Sequence, residues 1–330
     1  MDLSLVVPCY NEQDNVRLFA QEAQAELADY QYEIIFINDG SHDHTLAELK
    51  KLYAERKNNL TILDFSRNFG KEAAIYAGLQ KANGRYIAFV DADLQQPLSV
   101  VREMLAFLED NSEYDAVAAY QEERMEDAKM SWVKSCFYKV INCLSDIQFK
   151  ENASDFRVIR ASVGKAILTL PEYERFSKGI FSWVGFNTFY RPYQVRERHA
   201  GTSSWSTAQL VRYAINGILS FSTKPLKISL SLGILASVLA VLYSICVIIE
   251  KLFIGIAAPG YATQVILILL MGGIQLIVLG IQGEYLARIH IEVKRRPLYL
   301  AKSCFSCVIE KSESESETKI SRQKEHTDHS

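Results

Sequence analysis

Residues Tyr86–Pro97 read YIAFVDADLQQP, five mostly apolar residues running into two aspartates, two glutamines and a proline. A short apolar run of this kind predicts a buried strand, and its end sets Asp91 and Asp93 at the tip. Four more runs of the same type, LSLVVP, YEIIFIND, LTILDF and YDAVAAY, alternate with helical stretches at Asn15–Ala28, Thr45–Arg56, Lys71–Asn83 and Ser99–Glu109. Strand and helix in alternation predict an α/β fold built on a mostly parallel sheet with flanking helices. Ligands of such sheets collect beyond the carboxyl ends of the strands. The polar clusters PCYNE, NDGS, SRNFGK and DADLQQ follow the first four runs, so four chemically loaded strand ends converge on one crevice.

The chemistry of that crevice is acidic. No G-x-G-x-x-G follows the first strand and no G-x-x-x-x-G-K-[ST] occurs anywhere, which leaves both dinucleotide and P-loop sites without support. Two aspartates one residue apart repel each other unless a cation lies beside them. Hard carboxylate oxygens with a glutamine amide nearby suit Mg²⁺ or Mn²⁺, an ion that would itself carry phosphate. The plainer alternative is a solvent-facing turn.

Composition narrows the class. The 330 residues are 49% hydrophobic and 23% charged, with a formal net charge of -3, which argues against a general nucleic-acid binder. Six cysteines are scattered, and Cys304 and Cys307 lack the second pair that a zinc site needs, so all are read as reduced thiols. The opening MDLSLVVPCYNE has no basic segment ahead of its apolar run, and a cytosolic N-terminus is expected.

The last third reads differently. Residues Ile228–Ile249 carry no charge, and a second uncharged run resumes at Thr263–Gly283 after a Pro259-Gly260 break. Each approaches the ~20 residues that cross a bilayer as helix, so 228–283 is expected as a two-helix transmembrane hairpin; two buried core helices are the alternative. Arg212, Lys224 and Lys227 precede the hairpin and Arg288, Lys294, Arg295, Arg296 and Lys302 follow it, with Lys251 alone in the intervening loop. This asymmetry predicts both termini on the cytosolic side of the cytoplasmic membrane. The remaining boundaries follow: a cytosolic α/β domain over 1–205, an amphipathic interfacial helix over 206–227 with Leu210, Ala214, Ile218 and Phe221 on one face, a basic juxtamembrane segment over 284–302, and a tail over 303–330 too poor in apolar residues to order itself.

Taken in order, VVPCYNE, INDGSHDHT, FSRNFGKEAAIYAGL, DADLQQP and SDFRVI, followed by a membrane hairpin, resemble the family-2 glycosyltransferases that load sugars onto polyprenyl phosphate. FSRNFGKEAAI, RFSKGIFSWVGF and GTSSWS are most similar to the small bacterial members with two spans. The resemblance implies a GT-A fold, a nucleotide-diphosphate sugar donor, a divalent metal, inversion at the anomeric carbon and a polyprenyl phosphate acceptor, together with a homo-oligomer and a downstream flippase. It implies that Pro8, Tyr10, Asn11 and Glu12 surround the nucleoside, with Asp39 near the base or ribose and Arg67, Lys71 and Ser203 completing the donor contacts. Asp91, Asp93 and Gln95 correspond to the metal and diphosphate site, Asp155 to a catalytic carboxylate, and Arg157 and Arg198 to phosphate ligands. Asn38 departs from the aspartate more usual in the family. Because a phosphate monoester is largely dianionic at neutral pH, Asp155 is expected to orient the acceptor as readily as to deprotonate it. A processive β-glycan synthase and a non-catalytic scaffold retaining the fold are the competing readings.

Overall fold

The computed structural model of the chain describes residues 1–55, 59–121, 153–170, 172–196, 219–220, 222–253 and 260–306. In chain order the elements are β1 (Leu3–Cys9), α1 (Val16–Glu26), β2 (Tyr32–Asn38), α2 (Thr45–Glu55), β3 (Leu60–Phe65), α3 (Lys71–Lys81), β4 (Tyr86–Phe89), α4 (Leu98–Asp110), β5 (Ala116–Gln121), β6 (Ala153–Arg160), α5 (Ala161–Leu168), α6 (Ser177–Trp183), β7 (Thr188–Tyr193), α7 (Lys224–Phe253), α8 (Tyr261–Val293) and β8 (Ala301–Phe305). All eight strands join one sheet in the order β7-β5-β6-β4-β1-β2-β3-β8.

Strand period explains how the sheet is covered. Leu3, Leu5 and Val7 of β1 and Ile34 and Phe36 of β2 pack on one face, whereas Val6, Ile35 and Ile37 pack on the other. A strand buried on both sides must be apolar at odd and even positions alike, which is why these runs are continuous. Helices α1, α2 and α4 cover the first face through Val16, Phe19, Leu49, Val101 and Leu105. Helices α3, α5 and α6 cover the second through Ala74, Ala77, Val163, Ile167 and Ile180.

The sheet is mixed. β1 pairs in parallel with β2 and β4, and β2 with β3, as strand-helix alternation predicts. β6 breaks the rule by running antiparallel between β4 and β5. Its run ASDFRVIR is interrupted by Asp155 and Arg157, so it reads poorly as a buried strand, yet Phe156 and Val158 bury on one face and Ile159 on the other.

Two segment boundaries need correction. Residues expected to begin a disordered tail at 303 lie inside β8, which pairs antiparallel with β3, Leu63 opposite Cys304 and Ile62 opposite Phe305. Tyr299 stacks on Phe65 with ring centroids 4.7 Å apart, and Phe305 packs against Tyr53. An edge strand gains its order from the ladder it joins, and the polar residues around it conceal that in the sequence. Residues Lys224–Lys227, expected in the interfacial helix, form the first turn of α7; most of 206–221, including Leu210, Ala214, Ile218 and Phe221, lies outside the described residues.

Helices α7 and α8, with 30 and 33 residues, are long and apolar enough to cross a membrane. Leu230, Ile234, Leu239, Leu276 and Ile277 are exposed on them, which removes the buried-core-helix alternative. At ~1.5 Å per residue each exceeds the ~30 Å hydrocarbon core, and the far end of α8 uses its excess on the catalytic domain. There Arg288 pairs with Glu174 at 2.6 Å, the Arg288 guanidinium donates to Ser220 Oγ, and Glu292 accepts from the amide of Tyr173 at 2.7 Å.

Candidate active site

β4 and β6 bring the acids together. Their antiparallel register pairs Tyr86 with Arg160 and Phe89 with Arg157, and continuing it past the last pair sets Asp91 opposite Asp155. Side-chain alternation then turns both toward the face covered by α3 and α6, since Ile87 and Phe89 precede Asp91 on that face and Ile159 lies in phase with Asp155. Helix α3 opens there with Lys71, whose Nζ stands 2.6 Å from Asp91 and 3.6 Å from Asp155. The cation between the strand tips is therefore an ammonium of the chain itself.

The electrostatics follow from that arrangement. Burial opposes the charge of Lys71, but the Asp91 and Asp155 carboxylates outweigh it and hold the ammonium above its ordinary pKa. Burial likewise pushes the Asp155 carboxyl up, and Lys71, Lys178 and Arg157 more than reverse it, so its pKa lies below the usual range. Asp155 Oδ1 is buried without a hydrogen bond to any described residue. Arg157 is buried and lies over the Phe181 ring at 3.8 Å. Glu72 is pushed up to about 7, first by burial and then by the Asp155 charge; its carboxylate accepts from the Ser177 amide at 3.0 Å and from the Ser177 hydroxyl.

At the turn after β4 it is Gln96, not Gln95, whose amide grips Asp91: Gln96 Nε2 donates to Asp91 Oδ2 and the Asp91 amide donates to Gln96 Oε1, both at 2.9 Å. Gln95 contributes backbone, its N–H to Asp93 Oδ1 at 3.1 Å and its carbonyl to the amide of Arg196. Asp93 is buried. A divalent cation fits this donor set in charge and in hardness. Among the described residues no three His, Cys, Asp or Glu side chains converge, so Asp91 and Asp93 would supply two carboxylates and leave the other positions to diphosphate and water, as Mg²⁺ commonly requires.

The residues expected around a nucleoside line the neighbouring loops. Pro8 is the penultimate residue of β1, beside Ile37. Tyr10 is exposed, in edge contact with His42. Asn11, at φ 57°, accepts from the His42 backbone amide through Oδ1, and the Glu12 carboxylate accepts from Asn15 Nδ2 at 2.6 Å. Asp39 is committed to backbone: its two oxygens accept from the amides of Phe69 and Gly70 at 2.6 and 2.9 Å. It thus ties the loop after β2 to the loop after β3. Gly40, at φ 63°, is required at this junction, because a Cβ would lie 2.4 Å from the Arg67 carbonyl carbon. Arg67 stacks over Phe69 at 4.1 Å and donates to the Asn68 carbonyl. Asn38 donates to buried Asp64 at 2.7 Å; an aspartate at 38 would set two carboxylates against each other in this chain. Arg198 and Ser203 lie outside the described residues.

Sequence reasoning missed Glu72, Gln96, Ser177 and Lys178. The signal for Glu72 and Lys178 was there as a charge inside an otherwise small or apolar helix start, KEAAI and SKGIF, but which charges meet depends on α3 and α6 packing side by side.

Residues 4–168 match the model of glycosyl transferase family 2, and residues 224–289 match the GtrB C-terminal hairpin. The chain is 40% identical over 302 residues to a putative glycosyltransferase, CsbB, of Bacillus subtilis, covering 91% of each chain. It is 39% identical over 305 residues to the SfII prophage-derived bactoprenol glucosyl transferase of Shigella flexneri, covering 92% of this chain and 98% of that one. Glucosyl-3-phosphoglycerate synthase from Mycobacterium tuberculosis superposes with a TM-score of 0.47 at 15% identity, over 66% of this chain and 76% of that one. A mixed sheet flanked by helices, with acids at the β4 and β6 tips and a helical hairpin behind it, is the GT-A arrangement that the resemblance implied, and the chain belongs to glycosyl transferase family 2.

Proposed function

We propose that this transferase moves one glucose from a UDP-sugar to polyprenyl phosphate at the cytosolic face of the membrane, with both termini on that side. The observation that carries this reading is a single cavity of about 670 Å³ that joins Lys71 and Asp155 to Ser220 and Leu298, the residues flanking α7 and α8. An acceptor confined to the bilayer needs such a route to the strand tips. The relatives named bactoprenol glucosyl transferase support glucose and the lipid acceptor.

In the reaction an acceptor phosphate oxygen forms a bond to the anomeric carbon, the bond from that carbon to the donor's β-phosphate oxygen breaks, and its electron pair leaves with the nucleoside diphosphate. The acceptor monoester becomes a diester with the anomeric configuration inverted. Asp91 and Asp93 would hold a Mg²⁺ or Mn²⁺, which would supply Lewis-acid neutralisation of the charge on the departing diphosphate. Lys71, between Asp91 and Asp155, is the ammonium placed to receive phosphate charge. Asp155 orients the attacking oxygen; the acceptor dianion needs no strong base. The product carries its sugar on the cytosolic side, and its use across the membrane calls for a flippase.

Purified full-length protein in vesicles containing undecaprenyl phosphate, offered a panel of labelled nucleotide sugars, tests the reading. Transfer of a single glucose from UDP-glucose to the lipid is expected. A polymer product, or no lipid-linked sugar from any donor, would overturn it.

A further inference from the structure

Lys178 acts on Asp155 through its charge but makes no direct contact in the pattern described so far. It lies in α6, half-buried, and makes no hydrogen bond or ion pair with a described residue. Burial pushes its ammonium below the ordinary lysine range, with Asp155 opposing. A cation kept in such a place without a committed partner costs free energy. The neighbouring cations are already engaged: Lys71 with Asp91, Arg288 with Glu174, and Arg175 with the Leu170 carbonyl and the Tyr76 ring. Lys178 shares its cavity with Asp155 on one side of the fold's chemistry and with Ser220 and Leu298, next to the membrane helices, on the other.

We infer that Lys178 binds the phosphate of the polyprenyl acceptor, and that Glu72 is a positioning residue that sets Lys178 through its bonds to Ser177. The inference rests on the polyprenyl phosphate reading above and names the group that receives that headgroup. Glu72 follows Lys71 in α3, and Ser177 precedes Lys178 in α6. One carboxylate engaging both the amide and the hydroxyl of Ser177 therefore fixes the separation of the two lysines. Lys71 reaches the donor-side acid Asp91, whereas no described residue draws Lys178 that way. A phosphate seated on Lys178 would lie beside Asp155, with its prenyl chain directed toward Leu298 and the membrane segment. An ammonium suits this task as a compact point charge, able to follow a headgroup that enters from the bilayer.

The test measures binding as well as transfer, so that failure of the assignment and failure of the acceptor reading are separable. Full-length protein in detergent is titrated with a short-chain prenyl phosphate, with inorganic phosphate and with UDP. Lys178→Gln should weaken prenyl phosphate binding about tenfold, the share of one charge-assisted hydrogen bond, and leave UDP binding within twofold. Lys178→Arg should restore most of it. Glu72→Ala should reproduce the prenyl phosphate defect, and Glu72→Gln, which keeps an acceptor for Ser177, should be milder. In vesicles the same variants should raise KM for the lipid and leave KM for the donor unchanged. Equal losses for UDP and prenyl phosphate would assign Lys178 to the donor and overturn the inference. So would unchanged prenyl phosphate binding, or inorganic phosphate binding as tightly as the prenyl ester. Tight, Lys178-dependent binding in a wild-type protein that transfers no sugar would instead contradict the proposed reaction while sustaining the site.

Discussion

Asp91 and Asp155 stand opposite each other at the tips of two antiparallel strands, and Lys71 Nζ bridges them at 2.6 and 3.6 Å. Two carboxylates that close repel unless a cation intervenes. In this structure the ammonium holds the place where a divalent ion and a diphosphate would have to enter. Lys71 is therefore a partner of the acids, and under the proposed function it would compete with a metal for Asp91.

That competition is measurable. Lys71→Gln should increase the affinity of the donor-free protein for Mn²⁺ severalfold, because the ion no longer displaces an ammonium from Asp91, and should lower kcat by at least tenfold. Isothermal titration with Mn²⁺ checks the first effect and initial rates the second. Weaker Mn²⁺ binding in the variant would show that Lys71 organises the metal site instead of contesting it.

Asp93→Asn keeps the size of a buried side chain at the β4 turn and removes its charge. Transfer should fall by roughly 10²-fold or more, the scale for losing a group that stabilises a departing charge, with the melting temperature little changed. EDTA should abolish activity of the wild type. Full activity in EDTA would remove the metal from the account.

Glu72 gives the fold a pH dependence of definite sign. Its folded carboxyl titrates at about 7 against an ordinary 4.5, so the folded state holds the proton more tightly than the unfolded one. The associated stability is fully present below the unfolded value and is lost as pH rises through about 7. Thermal melts between pH 5 and 8 should show that decline, on the order of 1–2 kcal/mol, and Glu72→Gln should flatten it. An unchanged slope in the variant would assign the dependence elsewhere.

The fold was legible wherever one period ruled. β1 to β4 and α1 to α4 follow from continuous apolar runs alternating with amphipathic ones, and the two long apolar helices follow from length alone. β6 and β8 were not, for different reasons. β6 spends Asp155 and Arg157 on the site and so breaks its own apolar run; β8 is an edge strand ordered by pairing with β3, not by its own burial. Within the site, Asp91 and Asp93 were readable as acids at a strand end, whereas Asp155 was reached only through the resemblance of SDFRVI. Seeing that the Gln96 amide grips Asp91 needed the course of the turn, and finding Glu72 with Ser177 needed two helices distant in sequence.

The stacked pair Tyr299 and Phe65 fastens the segment after α8 to the catalytic sheet. Tyr299→Ala should destabilise this attachment by about 1–2 kcal/mol and make β8 amides exchange faster. Transfer to a long-chain lipid in vesicles should drop more than transfer to a short, soluble prenyl phosphate, which reaches the site without the membrane's help. Equal losses for both substrates would show that the strand supports the sheet alone.

The central claim is that acids at the β4 and β6 tips pass one sugar to a lipid phosphate arriving from the membrane side. The most direct measurement is the product formed by purified full-length protein from labelled UDP-glucose and undecaprenyl phosphate in vesicles, resolved by mass. The account predicts one hexose per lipid, with inverted anomeric configuration, and no such product from Asp155→Asn at more than a few per cent of the wild-type rate. A lipid carrying several sugars, a retained configuration, or an Asp155→Asn protein working at the wild-type rate would contradict it.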